Sequence, residues 1–246
     1  MVIPAGGSDA GQVRVYQYSI SSWTQIGADI DGGTLYEESG TAVAISSDGT
    51  TVAIGAPQNS NGNGSGQVRV YKNIGGTWTK LGADIDGEAE GDVSGSSVAI
   101  SSDGSVVAIG APFNDGGGNS AGQVRVYQYS SSSWTKIGAD IDGSAASDQA
   151  GTSVAISSDG TIVAIGAPQN NWMGPAYTGY VKLYKNINGT WTLIGQKIDG
   201  EASGDASGSS VAISSNGTIV GIGAPANSGV NGSYSGQVRV YLKTGF

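Results

Sequence analysis

The sequence predicts an all-β fold, a β-propeller of four-stranded antiparallel blades, and three observations predict it. Near-identical segments recur along the whole chain; each recurrence holds short runs rich in Val, Ile and Ala bounded by glycine; and no segment keeps apolar residues at helical spacing over three turns. Trp23, Trp78, Trp134 and Trp191 stand 55, 56 and 57 residues apart, and a drift of single residues places the insertions in loops rather than in paired strands. Residues 1–246 therefore read as a single domain of four repeats.

Within one repeat four strands follow in order: "SVAIS" from Ser97, "VVAIGAP" from Val106, "GQVRVY" from Gly122 and "WTKIG" from Trp134. The first two are joined by Ser102, Asp103 and Gly104, and Asp-Gly supplies the positive φ that a tight hairpin needs. The third and fourth are joined by a slightly longer polar connection, "QYSSSS". In the third strand Val124 and Val126 point one way and Gln123, Arg125 and Tyr127 the other. The first two strands carry apolar or very small residues on both faces, as a sheet packed on both sides requires. Propeller blades satisfy that pattern, with Ala and Gly letting neighbours approach; a sandwich does not explain the unit-by-unit recurrence.

"GQVRVY" or its variant "GYVKLY" occurs five times, at Gly11, Gly66, Gly122, Gly179 and Gly236, whereas its companion segments occur four times. Four blades close if the last three strands are completed by Trp23–Gly27, joining the two ends of the chain, and one third strand is then surplus. That strand lies at an edge, is displaced, pairs with another molecule in a homo-oligomer, or marks an excerpt of a longer array.

Composition narrows the function. A net charge of −9 and a pI near 4.3 repel phosphate backbones, which argues against nucleic acid, and no apolar run is long enough to enter a bilayer as a helix. There is no Cys for disulfides and no His to act as a base. "GNSAG" at Gly118–Gly122 therefore makes Ser120 a chance match to a nucleophile motif, and no enzymatic activity is expected.

"SGSSVAISSDGSVVAIGAP", Ser94 to Pro112, resembles the FG-GAP repeat of integrin alpha-type propellers, and all four units share it, with Gly-Ala-Pro at Gly55, Gly110, Gly166 and Gly223. Ser39, Ser94 and Ser207, and Ala150 in the remaining unit, replace the family's Phe. The resemblance implies a propeller in an extracellular or cell-surface, adhesive setting. The family's calcium-binding hairpin has shrunk here to a turn with one carboxylate (Asp48, Asp103 or Asp159), and Ca²⁺ requires about six to eight oxygens.

Two surfaces are candidates for chemistry. The acidic segments place Asp84, Asp86 and Asp92, and then Asp140, Asp142 and Asp148, close enough to suggest Ca²⁺ ligation; the alternative is charge guarding an outer strand. The loops after Gly-Ala-Pro are the least regular part of each unit. They offer Asn114, Asp115, Asn170, Trp172, Met173 and Tyr177 as a surface for a glycan or an extracellular protein. The repeat Trp residues read as packing rather than as a binding platform. The expected function is thus a non-enzymatic recognition or adhesion module acting through one loop face, with self-assembly by exchange of the surplus strand as the alternative.

Overall fold

The computed structural model describes residues 9–58, 64–169, 177–229 and 232–242. Among them every regular element is a strand, and no helix is long and apolar enough to cross a membrane. Three full sheets follow one pattern. In the first, the inner strand Ala42–Ile45 pairs with Thr51–Ala56, which pairs with the third strand Gln67–Ile74, which pairs with the outer strand Thr77–Lys80, all antiparallel. The second sheet repeats this with Ser97–Ile100, Val106–Ala111, Gln123–Ser130 and Ser133–Lys136. The third has Ser153–Ile156, Ile162–Ala167, Tyr180–Ile187 and Thr190–Leu193.

Each full sheet has a fifth element that the sequence did not announce. After the outer strand the chain turns and returns as a two-residue strand, Ile85–Asp86, Ile141–Asp142 or Ile198–Asp199, which pairs with the start of its own third strand. The break comes at Gly82, Gly138 or Gly195, whose φ of 79°, 70° and 75° lie where L side chains are strained. The third strand is also longer than "GQVRVY". It runs to Ser130 and turns through Ser131 and Ser132, both at positive φ, so the expected longer connection is a two-residue hairpin.

Neighbouring sheets pack face to face with their inner strands adjacent. Val68 and Val70 of one sheet meet Val107 and Ile109 of the next; Val124 and Val126 meet Val163 and Ile165; Val181 and Leu183 meet Val220 and Ile222. Every residue of Thr51–Ala56, Val106–Ala111 and Ile162–Ala167 is buried, as the two-sided apolar pattern requires. Glycine sets the spacing. A Cβ on Gly55, Gly110 or Gly166 would lie 2.0 Å from the carbonyl oxygen of Gly95, Gly151 or Gly208 in the following unit.

The ends differ from the expected closure. Trp23 lies in Ser22–Gln25, which pairs with Tyr16–Ser19, while Gln12–Val13 pairs with Ile30–Asp31; this opening half packs Val13, Val15 and Ile30 on Val52 and Ile54. Among the described residues the last sheet has three strands, Ser210–Ile213, Ile219–Ala224 and Gln237–Leu242, and Trp23–Gly27 does not pair with it. The physical reason is local: the third strand nearest to Trp23 in sequence competes for the same hydrogen bonds and needs only a short turn to make them. The end faces are consequently uncovered. Val238 and Val240 are 74% and 69% exposed where their counterparts Val124 and Val126 are 0% and 1%.

The hairpin carboxylates hold the turns. Asp48 accepts from the Ser46 hydroxyl at 2.7 Å and from the Thr50 backbone N–H at 2.9 Å, and the Ser46 and Thr50 hydrogen bonds pull its pKa down to about 2. In the fourth unit Asn216 makes the same pattern to Ser214 and Thr218.

Two outcomes follow. Gly110→Ala forces the second and third sheets apart and costs about 1–3 kcal/mol or more in denaturant unfolding, whereas Gly221→Ala, with nothing within 4 Å of its added methyl, leaves stability unchanged. Because the folded-state pKa of Asp48 lies below its unfolded value, its contribution is present above about pH 4 and is lost as pH falls toward about 2. Asp48→Asn, tolerated at the matching position of the fourth unit, removes that share of the acid sensitivity in thermal melts.

Candidate functional site

The acidic segments and the loops after Gly-Ala-Pro meet on one side of the sheets, and hydrogen bonds tie them together. Ser147 and Gln149 donate their backbone N–H groups to the carbonyls of Asn119 and Ser120, and Gly204 donates to the carbonyl of Tyr177. A buried carboxylate anchors each junction. Asp148 accepts the N–H groups of Ser144 and Ala145 at 2.8 and 3.0 Å and the Tyr180 hydroxyl at 2.7 Å. Asp92 takes the Ala89 N–H and the Asn114 amide, and Asp205 takes the Ala202 N–H and the Asn227 amide. In the first unit Glu37 receives Gly33, Thr34, Gln67 and Arg69. Burial alone would raise the Glu37 pKa, but Arg69 and the loop N–H groups outweigh it and hold the carboxylate ionised.

The six carboxylates considered for Ca²⁺ are thereby dispersed. Asp92 and Asp148 point inward to loop N–H groups, Asp84 is paired with Lys80 and Arg69, Asp140 with Lys136, and Asp142 accepts from Gln123; Asp86 is exposed. Among the described residues no three acidic groups converge on a point that would hold a metal ion. Of the loop candidates, Asn170, Trp172 and Met173 lie outside the described residues. Asn114 is buried and spends its amide on Asp92 and its oxygen on the Gly116 N–H. Asp115 caps the loop by accepting the Ser120 N–H at 2.7 Å, and the Tyr177 carbonyl holds Gly204.

A different set of hollows recurs on the outer side of the sheet junctions. Trp78, Trp134 and Trp191 each reach back to the preceding unit, donating the indole N–H to the carbonyls of Ile26, Leu81 and Ile137 at 2.7, 2.6 and 2.8 Å. The Trp residues therefore pack, and packing them shapes a cleft. One, of about 250 Å³, is lined by Asp29, Asp31, Tyr71, Thr77 and Trp78; the next, of about 270 Å³, by Asp84, Asp86, Tyr127, Ser133 and Trp134; the third, of about 240 Å³, by Asp140, Asp142, Tyr184, Thr190 and Trp191. Burial raises the pKa of Tyr71, Tyr127 and Tyr184, so their hydroxyls remain protonated donors at neutral pH. At the fourth junction, where the last sheet has no outer strand, the hollow is a wider groove of about 350 Å³ lined by Leu183, Ile194, Ile198, Val220 and Tyr241.

No family model and no curated protein matches the chain. Among solved structures it is similar to hydrazine synthase of Kuenenia stuttgartiensis, with a TM-score of 0.57 and 13% identity over 97% of this chain and 67% of that one. It also aligns with candidate 6-phosphogluconolactonases of Bacteroides uniformis (TM-score 0.48, 11% identity, 74% of this chain) and Bacteroides fragilis (0.46, 14%, 65%). The chain spans 46% and 39% of those two proteins' lengths. The likeness places the chain among all-β, propeller-like folds. The expectation of a non-enzymatic adhesion or recognition module acting through one loop face, or of a unit joined by strand exchange, is corrected: hydrazine synthase, the similar structure with a TM-score above 0.5, carries an enzyme name and not that of an adhesion protein.

One outcome tests the buried anchors. Asp205→Ala leaves the N–H groups of Glu201 and Ala202 and the Asn227 amide without their acceptor, and lowers unfolding stability by about 1–3 kcal/mol as read by urea titration.

Proposed function

We propose that the chain binds a hydroxyl-rich small molecule in the clefts beside Trp78, Trp134 and Trp191. The observation that carries this reading is the threefold recurrence of one lining: an indole and a phenol wall, a tyrosine hydroxyl donor, a hydroxyl from Thr or Ser, and two carboxylate acceptors. Aromatic faces suit the C–H face of a sugar or polyol ring, and carboxylates accept its hydroxyls. A cationic ligand fits less well, because Arg14, Lys80 and Lys136 already neutralise the first carboxylate of each pair, Asp29, Asp84 and Asp140. The repeat is read as FG-GAP-like within this proposal, supported by the four Gly-Ala-Pro copies and the Gly-x-Val-x-Val-Tyr strands.

A sugar of about twelve heavy atoms, at about 0.3 kcal/mol per atom, gives about 4 kcal/mol and a Kd near ~1 mM per cleft. Titration of a panel of monosaccharides and polyols, followed by tryptophan fluorescence and protein-observed NMR, is expected to show saturable shifts at the three indoles. Asp86→Ala removes an exposed acceptor from the middle cleft and abolishes the shift at Trp134 while sparing Trp78 and Trp191. Absence of any saturable response up to about 100 mM, some hundredfold above that Kd, overturns the reading.

A further inference from the structure

The third junction is built differently from the second and fourth. Where the second and fourth acidic segments carry Glu88 and Glu201, paired with Arg125 and Arg239 of the following third strand, the third segment carries Ser144, and the strand opposite it carries Lys182. The same strand replaces the Gln found at positions 12, 67, 123 and 237 with Tyr180. Three departures thus fall together. The Lys182 ammonium donates to the Ser144 hydroxyl oxygen, and the Tyr180 hydroxyl, bonded to buried Asp148, lies 3.5 Å from that same oxygen.

We propose that Ser144 and Lys182 form a nucleophile–base pair that hydrolyses carboxylic esters. This goes beyond the cleft reading and stands without it. An arginine at position 182 would be fixed in its charged form, whereas a lysine can lose its proton. Burial lowers the pKa of Lys182; Lys197 lowers it further, while Asp148 and Asp199 oppose the shift. Both ammonium groups, of Lys182 and Lys197, lie over the Tyr180 ring, at 5.2 and 5.1 Å from its centre. Ser144 is exposed, and its loop is held by the two N–H groups that Asp148 accepts.

In the first step Ser144 Oγ bonds to the ester carbonyl carbon as its proton passes to neutral Lys182 Nζ. The carbon–oxygen bond to the leaving alcohol then breaks, and Lys182 returns the proton to that oxygen. Water attacks the acyl-serine, giving its proton to Lys182; the serine oxygen leaves and recovers it, so ester and water become acid and alcohol. Lys197 is ion-paired with Asp199 at 2.8 Å, so its charge is partly offset, and of the two lysines Lys182 alone touches the serine oxygen. Tyr180 is a positioning residue, fixing the serine loop through Asp148.

The test uses the full chain with p-nitrophenyl acetate, reading nitrophenol release and, by peptide mass, the position of the acetyl group. Acetyl-Ser144 is expected, with a rate that rises with pH through the Lys182 titration, below the usual lysine range. Ser144→Ala and Lys182→Arg are each expected to lose tenfold or more of the rate with unchanged circular dichroism, as removal of a nucleophile or base does at about 10²-fold or above. A wild-type rate in Ser144→Ala, or acetylation at other residues only, overturns the proposal. Labelling of the unmodified chain by a fluorophosphonate needs no variant to fold; failure to label Ser144 overturns it equally.

Discussion

The structure depends on a carboxylate buried at each junction between sheets. The segment that leaves an outer strand must cross to the next inner strand, and in crossing it turns backbone N–H groups inward, toward the carboxylate. Glu37, Asp92, Asp148 and Asp205 supply the missing acceptor and are 0–4% exposed. Each is bonded in turn by a side chain from the next third strand or from the loop ahead of it: Gln67 and Arg69, Asn114, Tyr180 and Asn227. A charge so placed is tolerable because several donors surround it, and withdrawing them would leave it costly to bury. The carboxylate therefore fixes the crossing segment and the angle at which the next sheet arrives. The glycine contacts and the Trp hydrogen bonds then complete a junction that is already oriented.

Much of this could be read from the residues. The strand order, the hairpin glycines and the two-sided burial of the second strand are all carried by short-range patterns that repeat. The return strand Ile85–Asp86 was hidden because two residues have no periodicity, and only its pairing with Val68 makes it a strand. The turn at Ser131 and Ser132 was hidden because serine rarely adopts positive φ without a reason as strong as a hairpin. The directions of the acidic side chains were not legible, because density along the chain says nothing of direction: alternate carboxylates here point inward, to a lysine, or to solvent.

The hollows beside the Trp residues were least legible. A cleft made when Trp134 reaches Leu81, fifty-three residues away, exists only between two sheets, so neither segment carries its signature alone. The Ser144 and Lys182 contact is the opposite case. Its signal was present in "GYVKLY", whose Tyr180 and Lys182 depart from the Gln and Arg of the other copies, but a departure acquires meaning only when the residue facing it is known.

The uncovered faces at the two ends bear on how the molecule comes apart. Among the described residues, interior sheets are sandwiched by neighbours, while the sheet of Ser210–Ile213, Ile219–Ala224 and Gln237–Leu242 is covered on one side and has no outer strand. In a linear array, stability is a sum of each unit's own share and its contacts with adjacent units. Opening should then begin at that sheet and travel inward. Amide protons of Gln237–Leu242 would trade with solvent long before those of Val106–Ala111, and the interior would outlast its own margins.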